Sequence, residues 1–346
     1  MNIIAPINQL SYGLVSWNIM KELDLLTNIS FFEIIDRSSQ PTQEQVPFLR
    51  KWIKNAQMFD PYEPCLRIWH QNDMAKRVGK AKLIGWPIFE LNGFSSLEKH
   101  HLSTLDEIIV CSEWAKSIVL GNVSTKKCHV VPLGVDTSIF YNRNTTLNKY
   151  VFLNIGKMEY RKGHDLIIAA FSDAFNKNDN VELWLSWDNP FPNCNKNYWI
   201  NLCKSSKLSS KIKFIPRLET QEELSLLANQ ASCGIFPSRA EGWNLPLLEM
   251  MACGKPVIAT NYSAHTEYCN TDNSFLVDCE LEPAKDNEWP QFDGTFEWGK
   301  PNYDQLVEHM RYVYNNNIRN NIEGEKIANK LSWASSARKV LDAVNN

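Results

Sequence analysis

The chain has 346 residues, 44% of them apolar, with 36 Lys+Arg against 39 Asp+Glu for a net charge of −3. That length suits two ordinary domains, and the charge balance excludes overall positive charge as a means of holding nucleic acid. Charged residues at 22% and aromatics at 11% mark a folded chain, and no apolar run approaches the length needed to cross a bilayer, Leu166–Phe171 being about the best.

Short β-branched or apolar runs alternate with helical patterns, the signature of stacked βα units with parallel sheets. Strands are predicted near Asn2–Pro6, Ser30–Ile35, Cys65–Trp69, Lys82–Ile84, Glu107–Cys111 and His129–Pro132, with a helix at Leu14–Leu26. The polar, Asn-containing segment Asp136–Lys149 reads as a linker. A second series of strands follows at Tyr150–Ile155, Val181–Ser186, Ile212–Ile215, Gly234–Phe236 and Val257–Thr260, with helices at His164–Phe175, Thr220–Asn229 and Leu245–Cys253. The tail from Tyr303 is helical, and Trp333–Val344 is amphipathic. The division expected is 1–145, 146–325 and a closing helix in 326–346. Two α/β domains joined in this way would face each other across a cleft, with ligands at the carboxyl ends of the strands.

Two stretches carry chemistry. In Pro237–Thr260 a strand leads through the loop Ser238–Trp243 into a short helix, with Asn244 as an expected N-cap, Pro246 in the first turn, and Gly254 and Pro256 ending it. The amides of Leu245 and Leu247 would face an anion. Glu241 then lies in the loop and Glu249 inside an apolar helix, where a buried carboxylate needs donors such as the vicinal hydroxyls of a ribose. The equivalent turn of the preceding unit, Gly156–Gly163, holds Lys157, Arg161 and Lys162 between two glycines. Those cations suit a phosphate, although Lys-rich turns are also ordinary solvated loops.

The run E-G-W-N-L-P-L-L-E-M-M-A-C-G-K-P-V-I-A-T (Glu241–Thr260) resembles the E-x7-E signature of retaining GT-B glycosyltransferases, glycosyltransferase family 4. G-K-M-E-Y-R-K-G (Gly156–Gly163) is similar to that family's phosphate loop, and V-V-P-L-G-V-D (Val130–Asp136) to its interdomain turn. S-Y-G (Ser11–Gly13) resembles its amino-terminal glycine loop, and L-S-W-A-S-S-A (Leu331–Ala337) its closing helix. The resemblance implies an α/β fold of two Rossmann-like domains facing across a cleft. It implies that Glu249 binds the ribose of a nucleoside-diphosphate sugar, that Lys157 and Lys162 neutralise the departing diphosphate, and that Glu241 contacts the transferred sugar. It further implies that Gly13 lets the backbone approach the phosphates and that His70 faces the donor sugar. Arg161, Trp243, Asn244 and Leu245 fall in the implied donor-binding set. Lys157 stands where the family has Arg, Tyr160 where it has Pro, and Asn244 where it commonly has Gly.

The implied reaction is transfer of a sugar from the nucleotide to an acceptor hydroxyl with retention, the nucleotide sugar serving as co-substrate and no cofactor being needed. No Asp-x-Asp pair is present to hold a metal-bound diphosphate, and adjacent His100 and His101 make a poor zinc site. The alternatives are a non-catalytic sugar-nucleotide-binding subunit and a transferase acting on modified bases of DNA, for which Lys76, Arg77, Lys80 and Lys82 would supply a basic run. The acceptor is thus a glycan, a lipid or a modified nucleobase, with nucleic acid not favoured. Nine cysteines without a Cys-x-x-Cys pair and a start, Met1–Leu10, unlike a signal peptide lead to an expected cytoplasmic location, with peripheral membrane attachment left open.

Overall fold

Strands buried on both faces read as unbroken apolar runs rather than alternating ones, which is why four-residue pieces such as Val257–Thr260 are entirely inside. The computed structural model describes residues 1–35, 41–124, 127–192 and 194–345. These form two units: Met1–Phe89 with Gly93–Gly134 and Leu331–Asn346, and Glu90–Asn92 with Val135–Lys330.

The first unit contains β1 (Asn2–Ala5), α1 (Ser11–Leu23), β2 (Ser30–Glu33), α2 (Gln45–Ala56), β3 (Cys65–Ile68), β4 (Leu83–Trp86), α3 (Ser96–Ser103), β5 (Glu107–Val110), α4 (Glu113–Asn122) and β6 (Cys128–Val130). Its sheet is parallel in the order β2-β1-β3-β4-β5-β6. The order reverses between β1 and β3, so the loops after those two strands flank the crevice where such sheets bind ligands.

The second unit follows with β7 (Tyr150–Lys157), α5 (His164–Ala174), β8 (Val181–Asp188), α6 (Lys196–Ser205), β9 (Ile212–Phe214), α7 (Gln221–Gln230), β10 (Cys233–Phe236), α8 (Leu245–Ala252), β11 (Val257–Thr260), β12 (Phe275–Val277), β13 (Cys279–Lys285), β14 (Asp293–Pro301), α9 (Tyr303–Asn315) and α10 (Ile322–Lys330). The sheet is again parallel, ordered β12-β11-β10-β7-β8-β9, and β13 and β14 form a separate antiparallel hairpin. Its reversal lies between β7 and β10, whose carboxyl ends carry the two loops singled out in the sequence.

The last helix, α11 (Trp333–Asn345), packs on α1 in the first unit. Ser336 Oγ donates to the Pro132 carbonyl at 2.6 Å, and a Cβ on Gly134 would run into the backbone of Ser332 and Trp333. The chain from Leu331 onward, α11 included, clusters with the first unit. Segment 136–149 is no free linker. Ser225 Oγ donates to the Ile139 carbonyl, and Asn229 receives the Arg143 N–H while donating to the Tyr141 carbonyl, so the segment belongs to the second unit.

The first helix runs three residues earlier at both ends than its apolar spacing predicts, leaving Leu25 and Leu26 exposed. Gly134→Ala should destabilise the protein by about 1–3 kcal/mol by overpacking against the backbone of α11. A urea-unfolding midpoint equal to that of the parent would contradict this close approach.

Candidate active site

The site is built from two loops of the second unit that are stitched together. The Arg239 N–H donates to the Arg161 carbonyl at 2.7 Å, and Arg161 Nη1 donates to the Ala240 carbonyl at 2.7 Å. Gly163 has φ +71, a backbone region costly for side-chain-bearing residues, and a Cβ there would meet the Pro237 carbonyl. The Arg239 guanidinium clamps the start of α5 through both oxygens of Asp165 at 2.9 Å and lies 3.7 Å over the Tyr160 ring.

At the join is a buried ion cluster. Lys162 Nζ lies 2.7 and 2.9 Å from the two oxygens of Glu241. Arg161 reaches Glu241 at 3.0 Å and Glu159 at 2.8 Å, with Glu90 at 3.8 Å. Ser238 Oγ donates to Glu241 at 2.7 Å, and the Glu241 N–H donates to Ser263 Oγ. Burial alone would raise the Glu241 carboxyl, but Lys162 and Arg161 outweigh it and hold the group well below the usual carboxylate range. Burial likewise raises Glu90 against the pull of Arg161.

Gly156–Gly163 is therefore not a solvated turn: the Arg161 side chain is 5% exposed and that of Lys162 13%. Arg161, which the resemblance places among the donor-binding residues, has its guanidinium on the protein's own acceptors, with three carboxylates around it. Lys157, at the end of β7, is more open, 3.4 Å from Glu159 and 5.2 Å from the Phe191 ring.

Helix α8 begins where expected, with Pro246 in its first turn, and Gly254 takes the left-handed conformation (φ +68) after its end. The expected cap is corrected. Asn244 precedes the helix with φ +81, and this left-handed backbone turns its amide to His265 Nε2 at 2.9 Å, so no side-chain cap bond forms. The same conformation explains why Asn is compatible with a position where glycine is common in the resembled family. His265 Nδ1 lies 3.0 Å from the Thr260 carbonyl, to which it donates, leaving Nε2 to accept from Asn244. Trp243 is buried, 4.8 Å from Tyr268, whose hydroxyl donates to the Trp243 carbonyl at 2.7 Å. It supports the loop from inside.

Glu249 is only 8% exposed, and its Oε2 has no hydrogen-bond partner. Burial pushes its carboxyl up to about 8. Two carboxylates eight residues apart thus sit in opposite environments, Glu241 compensated by cations and Glu249 by none.

The residues expected to act together fall into two groups. Lys157, Lys162, Glu241, Asn244, Leu245 and Glu249 gather around the switch point of the second sheet. Gly13 and His70 gather in the first unit, where His70 is exposed just after β3 with its ring 4.6 Å from that of Tyr12. A Cβ on Gly13 would run into the backbone and side chain of Asn8, so the glycine is required by the chain's own close turn.

Sequence reasoning missed Glu159, Glu90, Ser238 and His164. The His164 ring is fully buried, stacks 3.8 Å from Trp187, and has no hydrogen bond at either nitrogen. Only Glu159 and Ser238 lay within the stretches singled out, and Glu90 comes from a distant loop with no local signal. Of the tryptophans flanking the hairpin turn, Trp298 is buried and bonded to Glu282, while Trp289 packs against Phe191. In the basic run, Lys76 pairs with Asp73, Arg77 with Asp106 and Lys82 with Glu107. Among the described residues, no group of three or more His, Cys, Asp or Glu could hold a metal ion, and no helix is long and apolar enough to cross a membrane.

The sequence model described as glycosyl transferases group 1 matches residues 137–286. The MMP α-(1→4)-mannosyltransferase of Mycolicibacterium hassiacum is 26% identical over 188 residues, covering 52% of this chain and 43% of that protein. The chain therefore spans less than half of that relative's length. Among solved structures, sucrose-phosphate synthase from Thermosynechococcus elongatus superposes with a TM-score of 0.73 at 14% identity, over 99% of this chain and 98% of that one. HepE from Anabaena, solved in complex with UDP and glucose, gives a TM-score of 0.70 at 14% identity, over 100% and 99%. At these identities the likeness establishes the fold, two Rossmann-like α/β units of the GT-B type.

A carboxyl at about 8 against an ordinary 4.5 means that the fold disfavours ionised Glu249, so stability falls as pH rises from 4.5 through 8. Glu249→Gln, neutral throughout, should melt above the parent near pH ~8.5 and converge with it near pH ~4.5. Thermal denaturation across that range checks it, and parallel melting curves would contradict the buried charge.

Proposed function

Residues 137–286 belong to the glycosyl transferases group 1 family, and on that premise we propose that the protein is a retaining hexosyltransferase that takes a sugar from a nucleoside diphosphate to an acceptor hydroxyl without a metal. The observation that carries this reading is Glu249: a buried carboxylate with an unpartnered oxygen, inside the helix that starts at the switch point. The two adjacent hydroxyls of a ribose are donors of the required kind and spacing, and their bonds would favour the ionised carboxylate.

The hard step breaks the bond from the anomeric carbon to a phosphate oxygen and leaves negative charge on the diphosphate. Lys162 has three N–H groups and gives two directions to Glu241, so one remains for a phosphate oxygen. Lys157 adds a second charge, and the Leu245 and Leu247 amides at the start of α8 add the helix dipole, worth roughly 0.3–2 kcal/mol. Donors already in place as charge develops are usually the largest catalytic contribution.

Glu241 accepts from Lys162, Arg161 and Ser238, which makes it a weak nucleophile. It positions the sugar while the departing phosphate takes the acceptor's proton on the same face as the new bond forms. A UDP-sugar is the first donor to try, because the similarly folded HepE is described in complex with UDP-glucose. The basic run of the first unit has carboxylate partners for three of its four cations, which counts against a DNA acceptor.

Lys162→Gln keeps a donor toward Glu241 but removes the charge, and should lower kcat about 10²–10³-fold with native circular dichroism retained. A panel of nucleotide sugars should raise Tm for at least one UDP-sugar and release nucleoside diphosphate with it. Near-parental turnover in Lys162→Gln, or stabilisation by a nucleotide sugar without any release, would refute a transferase of this design.

A further inference from the structure

Three cations of the second unit stand without a carboxylate at the amino edge of its sheet. Among the described residues Arg143, Lys255 and Arg319 take part in no ion pair, although Lys255 is only 4% exposed. Lys255 Nζ spends one donor, at a long 3.3 Å, on the Thr145 carbonyl. Arg319 gives Nη1 to Ser232 Oγ at 2.8 Å and Nε to Asn317 Oδ1 at 2.7 Å, makes longer bonds of 3.3 and 3.4 Å to the Lys149 carbonyl, and lies 5.0 Å over the Tyr150 ring, so its bonds go to neutral acceptors only. Arg143 lies 4.2 Å over the Tyr141 ring, with its buried Nε unpartnered.

Lys255 and Arg319 line one cavity of about 130 Å³, together with Asn142, Thr145, Thr146 and Asn320. Every one of these side chains offers a hydrogen-bond donor, and none is a carboxylate.

The walls are fixed. The Asn321 N–H donates to the Gly254 carbonyl at 2.8 Å, and its side-chain amide donates to the carbonyls of Lys255 and Asn273. On the other wall the Asn144 N–H donates to Asn142 Oδ1 at 2.9 Å, in a turn with φ +52 at Asn144. Burying an ammonium group without a counter-charge costs several kcal/mol in general, so lysines this deep are normally paired. Here burial, with Arg319 beside it, pushes the Lys255 ammonium below its usual range, as expected for a cation lacking its counter-ion.

We propose that this cavity is a binding site for a phosphate group, held by Lys255 and Arg319 with the amides and hydroxyls of the 142–146 turn. A tetrahedral dianion accepts from all of these donors at once and supplies the missing negative charge. The cavity suits a phosphate and excludes a nucleoside. It lies at the amino ends of the strands, on the edge opposite Lys162 and Glu249, so it stands independently of the transferase reading.

The test uses the full chain and two probes, inorganic phosphate and glycerol 3-phosphate, titrated at matched ionic strength by calorimetry and thermal denaturation. Saturable binding of either that is kept in Lys162→Gln and weakened in Lys255→Met supports the site, and which one binds more tightly there tells whether the occupant is free or esterified phosphate. Lys255→Met should weaken binding about tenfold or more, Lys255→Arg should retain it, and Lys162→Gln should leave it unchanged. Thr145→Glu, at an exposed rim position, guards against misfolding of Lys255→Met: it should raise Tm without phosphate and abolish the response to it. Absence of binding by both probes, binding unchanged in both Lys255→Met and Thr145→Glu, or binding lost in Lys162→Gln instead would overturn the proposal.

Discussion

The second unit's site depends on one buried ion cluster, in which the Arg161 guanidinium bridges Glu159 and Glu241 while Lys162 takes both oxygens of Glu241. Removing so many charges from water is costly and is offset only when nearly every donor and acceptor is matched. Arg161 meets that condition with its bond to the Ala240 carbonyl, and Glu241 with its bond from Ser238. The cluster acts as a register pin, because the partners belong to two loops whose parallel strands fix only their starting points. Without it, neither Lys162 nor the approach to α8 would have a defined place.

The pin also separates the two glutamates chemically. Glu241 lies among cations and stays ionised, whereas Glu249, one helix turn inside α8, has none and is pushed toward protonation. A pair of like groups driven apart in this way marks a division of roles more clearly than either does alone. A carboxylate with every lone pair engaged holds geometry. One with an unsatisfied oxygen, as Glu249 has in Oε2, still lacks a donor.

Much of this was legible in the chain because it is written locally. Apolar runs bounded by turn residues located the strands of the first sheet and those of the second except β12, and Pro246 and Gly254 bounded α8 because each has a backbone preference that acts at its own position. Long-range facts were not legible. Glu90 joins the cluster from another part of the chain, and the hairpin β13–β14 has no parallel partner to give it a βα rhythm. Asn244 was misread because its side chain suits a cap, while its left-handed backbone sends the amide to His265 instead. Gly13 likewise does not announce in the sequence that Asn8 occupies the space of its missing Cβ. In both cases the residue type was informative and its partner was not, since a sequence names donors and spaces without saying what fills them.

The two edges of the second sheet carry opposite electrostatic debts, linked by one short helix. Glu249 sits within α8, and Lys255 follows its carboxyl end, where the Lys255 N–H closes back onto the Met250 carbonyl. Eight residues at 1.5 Å per residue span about 12 Å, so groups at the two ends of α8 share a rigid support. Sharing a support is not coupling, which requires an element with two arrangements that both sites bias. Residues 247–252 of α8 are all buried, and its ends are fixed by the Asn244–His265 bond and by the positive φ of Gly254. The structure holds this helix in one arrangement. An anion at the amino edge therefore acts on this unit by stabilising the turn and helix end that it touches, leaving the geometry around Glu249 as the ion cluster sets it.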